Sequence, residues 1–431
     1  MMSTTTQRRL HVTVLALIAF AALAMDASAQ LKVLRFGRLI DEGRVIDDAV
    51  IVVSGDSILR IGNRQDAVPV DAEVIDLSRF TAIPGLIDVH THMTYWWDRS
   101  PGTTPWRQGG ARTVEQTVAS AAENARLTLE SGVTTVRDLG ASNHADILLR
   151  DRIATGDIPG PRMFVSGYGL QKARGTQPPG ATPATLRGRV TEPADIDAAV
   201  QAQVDAGADV IKVYGSTGSG ADVTGRQTFS FEEMEAAVDA AHRLGRRIAI
   251  HSYGPEGARD AVRAGAESVE HAVDIDDITL AEMARRGTIY VPTIDHNRYY
   301  ADHRDEYGYT AEQVAALDAF RARNMETARR AFLVGVRLGM GSDAVFTGFG
   351  QNTRELRWFV EIGMSPAEAI ATATTNAAAL LGMAHRLGRL APGYQADIVA
   401  LVGNPLEDID VVIEGVRWVM KAGRVVVDRT H

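Results

Sequence analysis

The 431-residue sequence contains no cysteine. Disulfide bonds and thiolate ligands are therefore excluded, and any metal ion must be held by histidine, aspartate, glutamate or a modified lysine. Basic runs are also missing, and the formal net charge of -9 argues against a nucleic-acid surface or an anionic membrane as a partner. With 45% hydrophobic residues, the chain has enough apolar material for one large α/β domain, alone or with a smaller domain.

The N-terminal segment at 1–29 differs from the rest of the sequence. Arg8 and Arg9 precede a mostly apolar run at 10–25, which is followed by Ala27-Ser28-Ala29. This order of charged, apolar and small residues is typical of a secretory signal peptide, and the run is short for a membrane span. We expect cleavage near Gln30, a periplasmic location and no membrane association afterwards. An uncleaved anchor is the alternative.

Both ends of the remaining chain show short apolar segments separated by turn residues. Strands are predicted at 31–36, 49–53, 57–61 and 73–76, and again at 396–402, 411–413, 416–420 and 425–427. We expect 30–82 and 388–431 to fold together into one β-sandwich domain.

The segment between them, 83–387, alternates strand-like and helix-like patterns. Strands are predicted at 83–89, 134–138, 163–167, 210–214, 248–251, 268–271, 289–293 and 336–342. Helices are predicted at 232–244 and 311–334, with Ser230 and Thr310 as caps. The pattern favours an α/β fold of the (β/α)8 TIM barrel type, whose reactive side chains lie at the carboxyl ends of the strands. A doubly wound open sheet is the alternative, because strand number alone does not show closure.

Potential metal ligands fall at the ends of these predicted strands. His90 and His92 are two residues apart at the end of the first strand, so both point to the same face and can hold one ion. A single histidine at such a place is more often structural. The predicted strands supply four further candidates, namely Lys212, His251, His271 and Asp343. Together these residues predict a metal centre.

Several sequence motifs surround these residues. They are Pro-Gly-Leu-Ile-Asp-Val-His-Thr-His at 84–92, Gly-Val-Thr-Thr-Val-Arg-Asp at 132–138, Pro-Thr at 292–293, Gly-Ser-Asp at 341–343 and Pro-Gly-Tyr-Gln-Ala-Asp-Ile-Val at 392–399. In these motifs the chain resembles the amidohydrolase superfamily of metal-dependent hydrolases. Within it, the chain is most similar to the imidazolonepropionase-like and Xaa-Pro dipeptidase group. Related barrels often assemble, so the resemblance also implies a homo-oligomer.

The resemblance implies a ligand set for two divalent ions. His90, His92 and Asp343 would hold the first ion, His251 and His271 the second, and Lys212, carboxylated by CO2, would bridge them. A carbamate suits this place because two dications repel a free ammonium. A neutral amine, or a salt bridge outside the site, is the alternative for Lys212. Zinc is expected, although manganese or cobalt would be tolerated.

The two ions would supply the nucleophile of the reaction. Between them they would clamp a bridging water, lower its pKa and so provide hydroxide. Asp343 would be the catalytic base that moves its proton to the leaving amine.

Residues that contact the small-molecule substrate are harder to identify. Tyr253 and Tyr214 follow His251 and Lys212 by two residues, so strand alternation would point both phenols into the cavity. In dipeptidase-like relatives the tyrosine at the first of these positions looks like a contact to the substrate. Packing is the alternative role for both. A free carboxylate could pair with any of four further residues, although surface salt bridges explain them nearly as well: Arg137, Arg174, His296 and Arg298.

The exit of the third strand departs from the family pattern. Many relatives carry Gly-Gly-His there, whereas this chain has a Gly- and Pro-rich loop at 169–180, a candidate lid or specificity loop. The loop and Lys212 argue against imidazolonepropionase activity itself. Gly254 stands where deaminase relatives usually have a glutamate.

The sequence therefore predicts an exported binuclear amidohydrolase that uses a metal-bridging hydroxide. Its substrate would be an amide beside a free carboxylate: a dipeptide, an Xaa-Pro-like compound, an N-acyl amino acid or an aromatic amide such as ochratoxin. A lactonase, a deaminase and a non-catalytic metal-binding protein are the alternatives.

Overall fold

A computed structural model describes residues 31–66, 69–105, 107, 112–173 and 187–431. The predicted signal peptide at 1–29, Arg174 and most of the predicted loop at 169–180 lie outside these residues. Across the described ranges, no helix combines the length and apolar character needed to cross a bilayer.

The strands of the described residues are, in chain order, β1 (Lys32–Asp41), β2 (Arg44–Asp47), β3 (Ala49–Ser54), β4 (Ser57–Asn63), β5 (Glu73–Pro84), β6 (Leu86–Thr91), β7 (Val133–Asp138), β8 (Arg162–Val165), β9 (Gln171–Lys172), β10 (Arg189–Val190), β11 (Val210–Tyr214), β12 (Arg247–Ser252), β13 (Ser268–His271), β14 (Ile289–Val291), β15 (Ile398–Leu401), β16 (Val416–Lys421) and β17 (Arg424–Asp428).

The helices are α1 (Val114–Glu130), α2 (Ala145–Thr155), α3 (Asp195–Asp205), α4 (Phe231–Arg243), α5 (Pro255–Ala264), α6 (Asp277–Arg286), α7 (Ile294–Asp302), α8 (Arg304–Tyr307), α9 (Ala311–Val334), α10 (Glu355–Glu361), α11 (Pro366–Thr372), α12 (Thr375–Leu380) and α13 (Asp410–Glu414), with a 3-10 turn at Asn352–Arg354.

One mixed sheet, called here the terminal sheet, is built from both ends of the described chain. Its strands lie in the order β17-β16-β15-β5-β1-β3-β4, and β2 pairs with β1. β5 joins the two ends, because it runs parallel to β1 and antiparallel to β15. Phe36 and Trp418 meet edge to face in the buried core on this sheet, with ring centroids 6.5 Å apart. The predicted arrangement of two facing sheets stays a prediction.

The predicted strand at 411–413 is wrong, because these residues lie in the short helix α13. Asp408, two residues before the helix, bonds to its first turn: its side chain accepts a hydrogen bond from the amide of Asp410 at 2.9 Å, and its carbonyl accepts one from the amide of Val411 at 3.2 Å. Such local aspartate bonds compete with strand pairing.

Two parallel sheets form the centre of the molecule, β6-β7-β8 and β11-β12-β13-β14. Their strands are buried on both faces, as expected when helices cover a parallel sheet. Tyr214 lies opposite His251, and Ser252 opposite His271, so the carboxyl ends of neighbouring strands meet at one edge. The predicted α/β class is therefore observed.

The two helices predicted from sequence periodicity are confirmed as α4 and α9. Ser230 and Thr310 cap their first turns, and each forms a reciprocal capping box with Glu233 or Gln313 three residues later. A cap of this kind contributes about 1 kcal/mol of stability. α9 ends at Gly335, whose left-handed backbone suits glycine.

The predicted eighth strand at 336–342 is not formed as a regular strand. Leu338 makes only an isolated bridge to Tyr290, and the amide of Met340 donates to the carbonyl of Thr372 at 2.9 Å instead of extending a ladder. A second isolated bridge joins Thr91 to Ala344. The strands thus form two open parallel sheets, and a single closed sheet is not shown.

Candidate active site

A cavity of about 570 Å³ opens at the carboxyl ends of the parallel strands. Its lining brings together all the predicted metal ligands and three of the predicted substrate residues: His90, His92, Lys212, His251, His271 and Asp343, with Tyr214, Tyr253 and His296. The six proposed ligands come from five strands or strand-like segments, and each of them is buried.

Asp343 lies at the centre of the histidines. Its Oδ1 is 3.2 Å from Nε2 of His92 and 3.7 Å from Nε2 of His90. Its Oδ2 is 3.1 Å from Nε2 of His296, whose Nδ1 lies 2.8 Å from the backbone carbonyl of Asp343. Nδ1 of His271 lies 3.9 Å from the same Oδ2, so one carboxylate faces four imidazoles.

The first two histidines are oriented by acceptors on their far sides. Nδ1 of His90 lies 2.8 Å from Oε2 of Glu270, and Nδ1 of His92 lies 3.2 Å from the carbonyl oxygen of Gly140. Both acceptors require a proton on Nδ1, which leaves the lone pair on Nε2. That tautomer is the one in which a histidine with a bonded Nδ1 ligates a metal through Nε2.

His271 is oriented in the same way by a hydroxyl group. Its Nδ1 is 2.7 Å from Oγ1 of Thr293, and this hydroxyl donates to the carbonyl of Pro292 at 2.7 Å. Because the hydroxyl has already given its proton to Pro292, it must accept the proton of His271. The lone pair of His271 is again on Nε2.

Three buried nitrogen atoms of the site have no hydrogen-bond partner among the described residues: Nε2 of His90, Nε2 of His251 and Nζ of Lys212. An unsatisfied buried polar atom costs about 1–3 kcal/mol, so such atoms are rarely grouped without a reason. Atoms of His90, His271 and Asp343 that can act as ligands also lie within 4.8 Å of one another. This donor set fits metal ions.

The electrostatics of the site favour the neutral form of four of its histidines, His90, His251, His271 and His296, whereas the hydrogen bond to Asp343 outweighs burial and raises the pKa of His92. Burial, and then the charge of Lys212, lowers the pKa of His251 to about 3 and that of His90 well below its ordinary value. Burial likewise lowers the pKa of Lys212 to about 8. Burial alone would raise the pKa of Asp343, but its interactions with the imidazole groups of His296, His90 and His92 hold it below its ordinary value. Neutral imidazoles and an ionised carboxylate are the forms that bind metals.

The backbone at the site is strained. His271, Thr293 and Asp343, which end three successive strands or strand-like segments, have φ values of 73°, 54° and 49°. Side chains other than glycine seldom adopt this left-handed region, and a β-branched residue such as threonine does so least. Strain of this kind concentrates at functional sites.

Glu355 supports the strained segment from below. It is fully buried, and its two carboxylate oxygens accept the backbone amides of Ile294 and Asp295, each at 2.8 Å. These amides follow Thr293 directly, so Glu355 fixes the residue that orients His271.

Asp88 ties the first strand to the segment that carries Asp343. Its carboxylate accepts hydrogen bonds from the amides of His90 and Ser342, at 3.1 and 3.0 Å, and from Nδ2 of Asn352 at 2.9 Å. Burial raises its pKa to about 6. These bonds fix the position of the segment that carries Asp343 relative to the strand that carries His90.

Arg137, predicted as a substrate residue, does not line the cavity and is only 2% exposed. Its guanidinium lies 2.9 Å from Oε1 of Glu270 and donates to Oγ of Ser268 at 2.9 Å and to the carbonyl of Val89 at 2.6 Å. It therefore holds the carboxylate that orients His90. Glu270 was not among the predicted site residues, although charged residues inside two buried strands indicate such a pair.

Of the other predicted substrate residues, some line the cavity and one lies outside it. Tyr253 lines the cavity, and its ring stacks on His251 with centroids 5.0 Å apart. Tyr214 also lines it and is hydrogen-bonded to Tyr95. Arg298 lies outside, paired with Asp295 and Asp302. Tyr95 and Tyr300 are further wall residues that the sequence interpretation did not identify.

Comparison with known proteins gives one family and close structural relatives. Residues 81–426 match the model of the Amidohydrolase family. Ochratoxinase from Aspergillus niger is 30% identical over 441 aligned positions, covering 93% of this chain and 88% of its own length. An imidazolonepropionase from Rubrobacter xylanophilus is 26% identical, covering 85% of this chain and 87% of its own. The crystal structure of a Xaa-Pro dipeptidase with methionine bound in its active site matches with a TM-score of 0.83 at 31% identity, covering 92% of this chain and all of that one.

Proposed function

Since the chain belongs to the amidohydrolase family and is a hydrolase of carbon–nitrogen bonds, we propose that it cleaves an amide bond beside a free carboxylate. The substrate class comprises dipeptides, including Xaa-Pro compounds, N-acyl amino acids and aromatic amides such as ochratoxin. The observation that carries the proposal is the cluster of unpartnered buried nitrogens of His90, His251 and Lys212 around Asp343 on the cavity wall.

Two divalent ions, zinc in the first instance, suit this donor set. The proposed ligands are His90, His92 and Asp343 for one ion, His251 and His271 for the other, and carboxylated Lys212 between them. Carboxylation explains why Nζ of Lys212 has no acceptor among the described residues, since a carbamate replaces the amine by anionic oxygens. Bound ions of this kind polarise a carbonyl group and lower the pKa of water.

Asp343 moves the proton in the proposed reaction. As a proposed metal ligand Asp343 is ionised, and in this form its carboxylate can accept a proton from the attacking water. The same carboxyl group then gives this proton to the nitrogen of the leaving amine. His296, bonded to both the side chain and the backbone of Asp343, keeps the carboxylate in place.

Tyr253 positions the substrate. Its hydroxyl makes no hydrogen bond with the described residues, although the residue is only 2% exposed, and its ring is fixed against His251. The phenol can therefore donate to the carbonyl or carboxylate of a bound substrate. The methionine in the related dipeptidase structure, a free amino acid, supports a ligand with a carboxylate.

A deaminase is a weaker alternative for this site. Deaminase relatives use a glutamate three residues after the fifth-strand histidine, and this chain has Gly254 there. A Cβ atom at this position would lie 2.5 Å from the carbonyl oxygen of Gly225, so a longer side chain does not fit.

Three broader predictions accompany the function. The isolated bridges Leu170–Val213, Tyr290–Leu338 and Thr91–Ala344 span the gaps between the two parallel sheets, which supports a closed (β/α)8 barrel. The charged and apolar pattern at 1–29 supports export to the periplasm. A homo-oligomer stays a prediction from the family resemblance.

A substrate panel tests the proposed function. Purified zinc-loaded protein is assayed with dipeptides, N-acyl amino acids, their C-terminal amides and a set of lactones, with Asp343→Asn as the inactive control. We expect the amides that carry a free carboxylate to be hydrolysed and the lactones to be spared. Turnover of lactones without turnover of any carboxylate-bearing amide would overturn the proposal.

A further inference from the structure

The lysine and arginine side chains that line the described part of the cavity differ in their partners. They are Lys172, Lys212 and Arg226. Lys172 forms an ion pair with Glu233. Lys212 lies among the proposed metal ligands. The guanidinium of Arg226, in contrast, has no ion pair or side-chain hydrogen bond with the described residues. It is the cation of this lining that is free to bind an anion.

The backbone of Arg226 is fixed even though its side chain is exposed. Its amide donates to Oγ1 of Thr217 at 3.1 Å, and its carbonyl accepts the amide of Thr217 at 2.8 Å. The neighbouring residues Ser216 and Gln227 form an antiparallel bridge. The loop after β11 is thus a folded hairpin that presents Arg226 at a defined place.

This hairpin is hydrogen-bonded to the end of β12, at His251 and Tyr253. The amide of Gly215 donates to the carbonyl of His251 at 2.9 Å, and the amide of Tyr253 donates to Oγ of Ser216 at 2.8 Å. Gly218 lies so close to the ring of Tyr253 that a Cβ atom there would be 2.4 Å from it. Arg226 therefore stands at the rim of the cavity on the side of Tyr253.

We propose that Arg226 binds the free carboxylate of the substrate, an inference that rests on the function proposed above. A guanidinium group matches a carboxylate with two parallel hydrogen bonds, which fixes orientation as well as charge. Asp222, an acidic residue on the same cavity wall, forms no ion pair with Arg226 among the described residues, and its Oδ1 accepts hydrogen bonds from the amide and hydroxyl of Thr224 at 3.0 and 2.6 Å.

The proposal excludes two arginines that the sequence made candidates. Arg137 is committed to Glu270 beneath His90, and Arg298 is committed to Asp295 and Asp302. Neither lines the cavity. Recognition of the substrate carboxylate would then depend on the loop that follows the fourth predicted strand. This loop carries none of the proposed metal ligands.

The test compares an acid with its amide. The full-length zinc-loaded enzyme and its Arg226→Ala and Arg226→Lys variants are assayed with one N-acyl amino acid and with the same compound as its C-terminal amide. Where the amide is not hydrolysed, it is measured as a competitive inhibitor. Arg285→Ala is the matched control, since Arg285 pairs with Glu282 outside the cavity.

We expect Arg226→Ala to lower kcat/KM for the acid roughly 10- to 100-fold, mainly through KM. The kcat/KM of the amide, or its inhibition constant where it is not hydrolysed, should be unchanged. Arg226→Lys should retain part of the preference for the acid, and Arg285→Ala all of it. The ratio of acid to amide is measured on one preparation, so it does not depend on the folded fraction.

Each remaining outcome decides a different claim. An unchanged acid preference in Arg226→Ala, or an equal loss for acid and amide, would overturn the role of Arg226. A wild-type enzyme that shows no preference for the acid would overturn the proposed function instead.

Discussion

Two lysines, one in each part of the fold, differ in their partners: Lys212 is fully buried and Lys421 is half-buried. Lys212 lies among the histidines of the central sheets, and Lys421 lies at the end of β16 in the terminal sheet. Burial lowers the pKa of each to about 8. Nζ of Lys421 donates to the carbonyl of Gly160 at 2.5 Å, whereas Nζ of Lys212 has no partner among the described residues.

The difference separates structural polar groups from functional ones. At the terminal sheet the buried polar groups are bonded to one another. Asp397, for example, forms an ion pair with Arg162 at 2.8 Å and accepts a hydrogen bond from the amide of Ala422 at 2.7 Å. In the active site the nitrogen atoms that face the cavity, such as Nε2 of His90, have no hydrogen-bond partner among the described residues. The hydrogen bonds are made on the far side of the ring, as between Nδ1 of His90 and Glu270. A buried group without a partner is therefore informative only when its neighbours are fully bonded.

Asp343→Asn should have the largest effect. The change removes a proposed ligand and the group that moves the proton, so kcat/KM should fall by at least roughly 10²- to 10⁴-fold. Asp397→Asn in the terminal sheet is the matched control and should keep its activity. Steady-state assays of both variants measure the contrast, and equal activities would contradict it.

Lys212→Ala should come next. Without the bridging group, metal content should drop and activity should fall by roughly a hundredfold or more, because a first ligand matters at least as much as the outer partners of a metal site. Added acetate should restore part of the activity by supplying carboxylate oxygens. Lys421→Ala is the control. Full metal content in Lys212→Ala would show that this lysine is not a ligand.

Glu270→Gln should have an intermediate effect on activity and a clear one on stability. His90 loses its charged acceptor and Arg137 its buried partner. Metal affinity should fall about 10- to 100-fold, and the free energy of unfolding by about 3–5 kcal/mol. Metal titration and urea denaturation measure the two effects. A loss of stability with unchanged metal affinity would limit Glu270 to a structural role.

Lys421→Met should show the smallest effect, confined to the pH dependence of stability. The pKa of Lys421 is about 8 in the folded chain and ordinarily near 10.5, so between these values the unfolded state binds more protons. Lys421 should therefore make the stability of the wild-type protein rise with pH across this range, by an amount on the order of 1–2 kcal/mol, and the variant should lack this contribution. Urea denaturation at pH 8 and pH 10.5 measures the difference, and parallel behaviour would contradict it.

Local patterns predicted the parts of the structure that local physics controls. Ser230 and Thr310 were recognisable as caps because their capping boxes lie within three residues, and His90 and His92 were recognisable as a pair because strand alternation fixes their direction. The predicted eighth strand at 336–342 was harder to predict correctly, since the amide of Met340 donates to the carbonyl of Thr372 rather than to a neighbouring strand.

Contacts between distant residues could not be predicted in the same way. Arg137 and Glu270 are 133 positions apart, so only the folded chain shows that this arginine holds a ligand instead of a substrate. Arg226 was overlooked because it lies in a Gly- and Ser-rich loop, and its place beside Tyr253 depends on the hairpin contacts of Gly218 and Ser216.

The central claim is that the unpartnered nitrogens of the active site bind two metal ions required for hydrolysis. Elemental analysis of the purified chain, joined to activity before and after chelation, tests it most directly. We predict about two equivalents of divalent metal per chain, loss of amide hydrolysis on chelation and recovery when zinc is returned. Full amide hydrolysis by a chain that holds no metal would contradict the account.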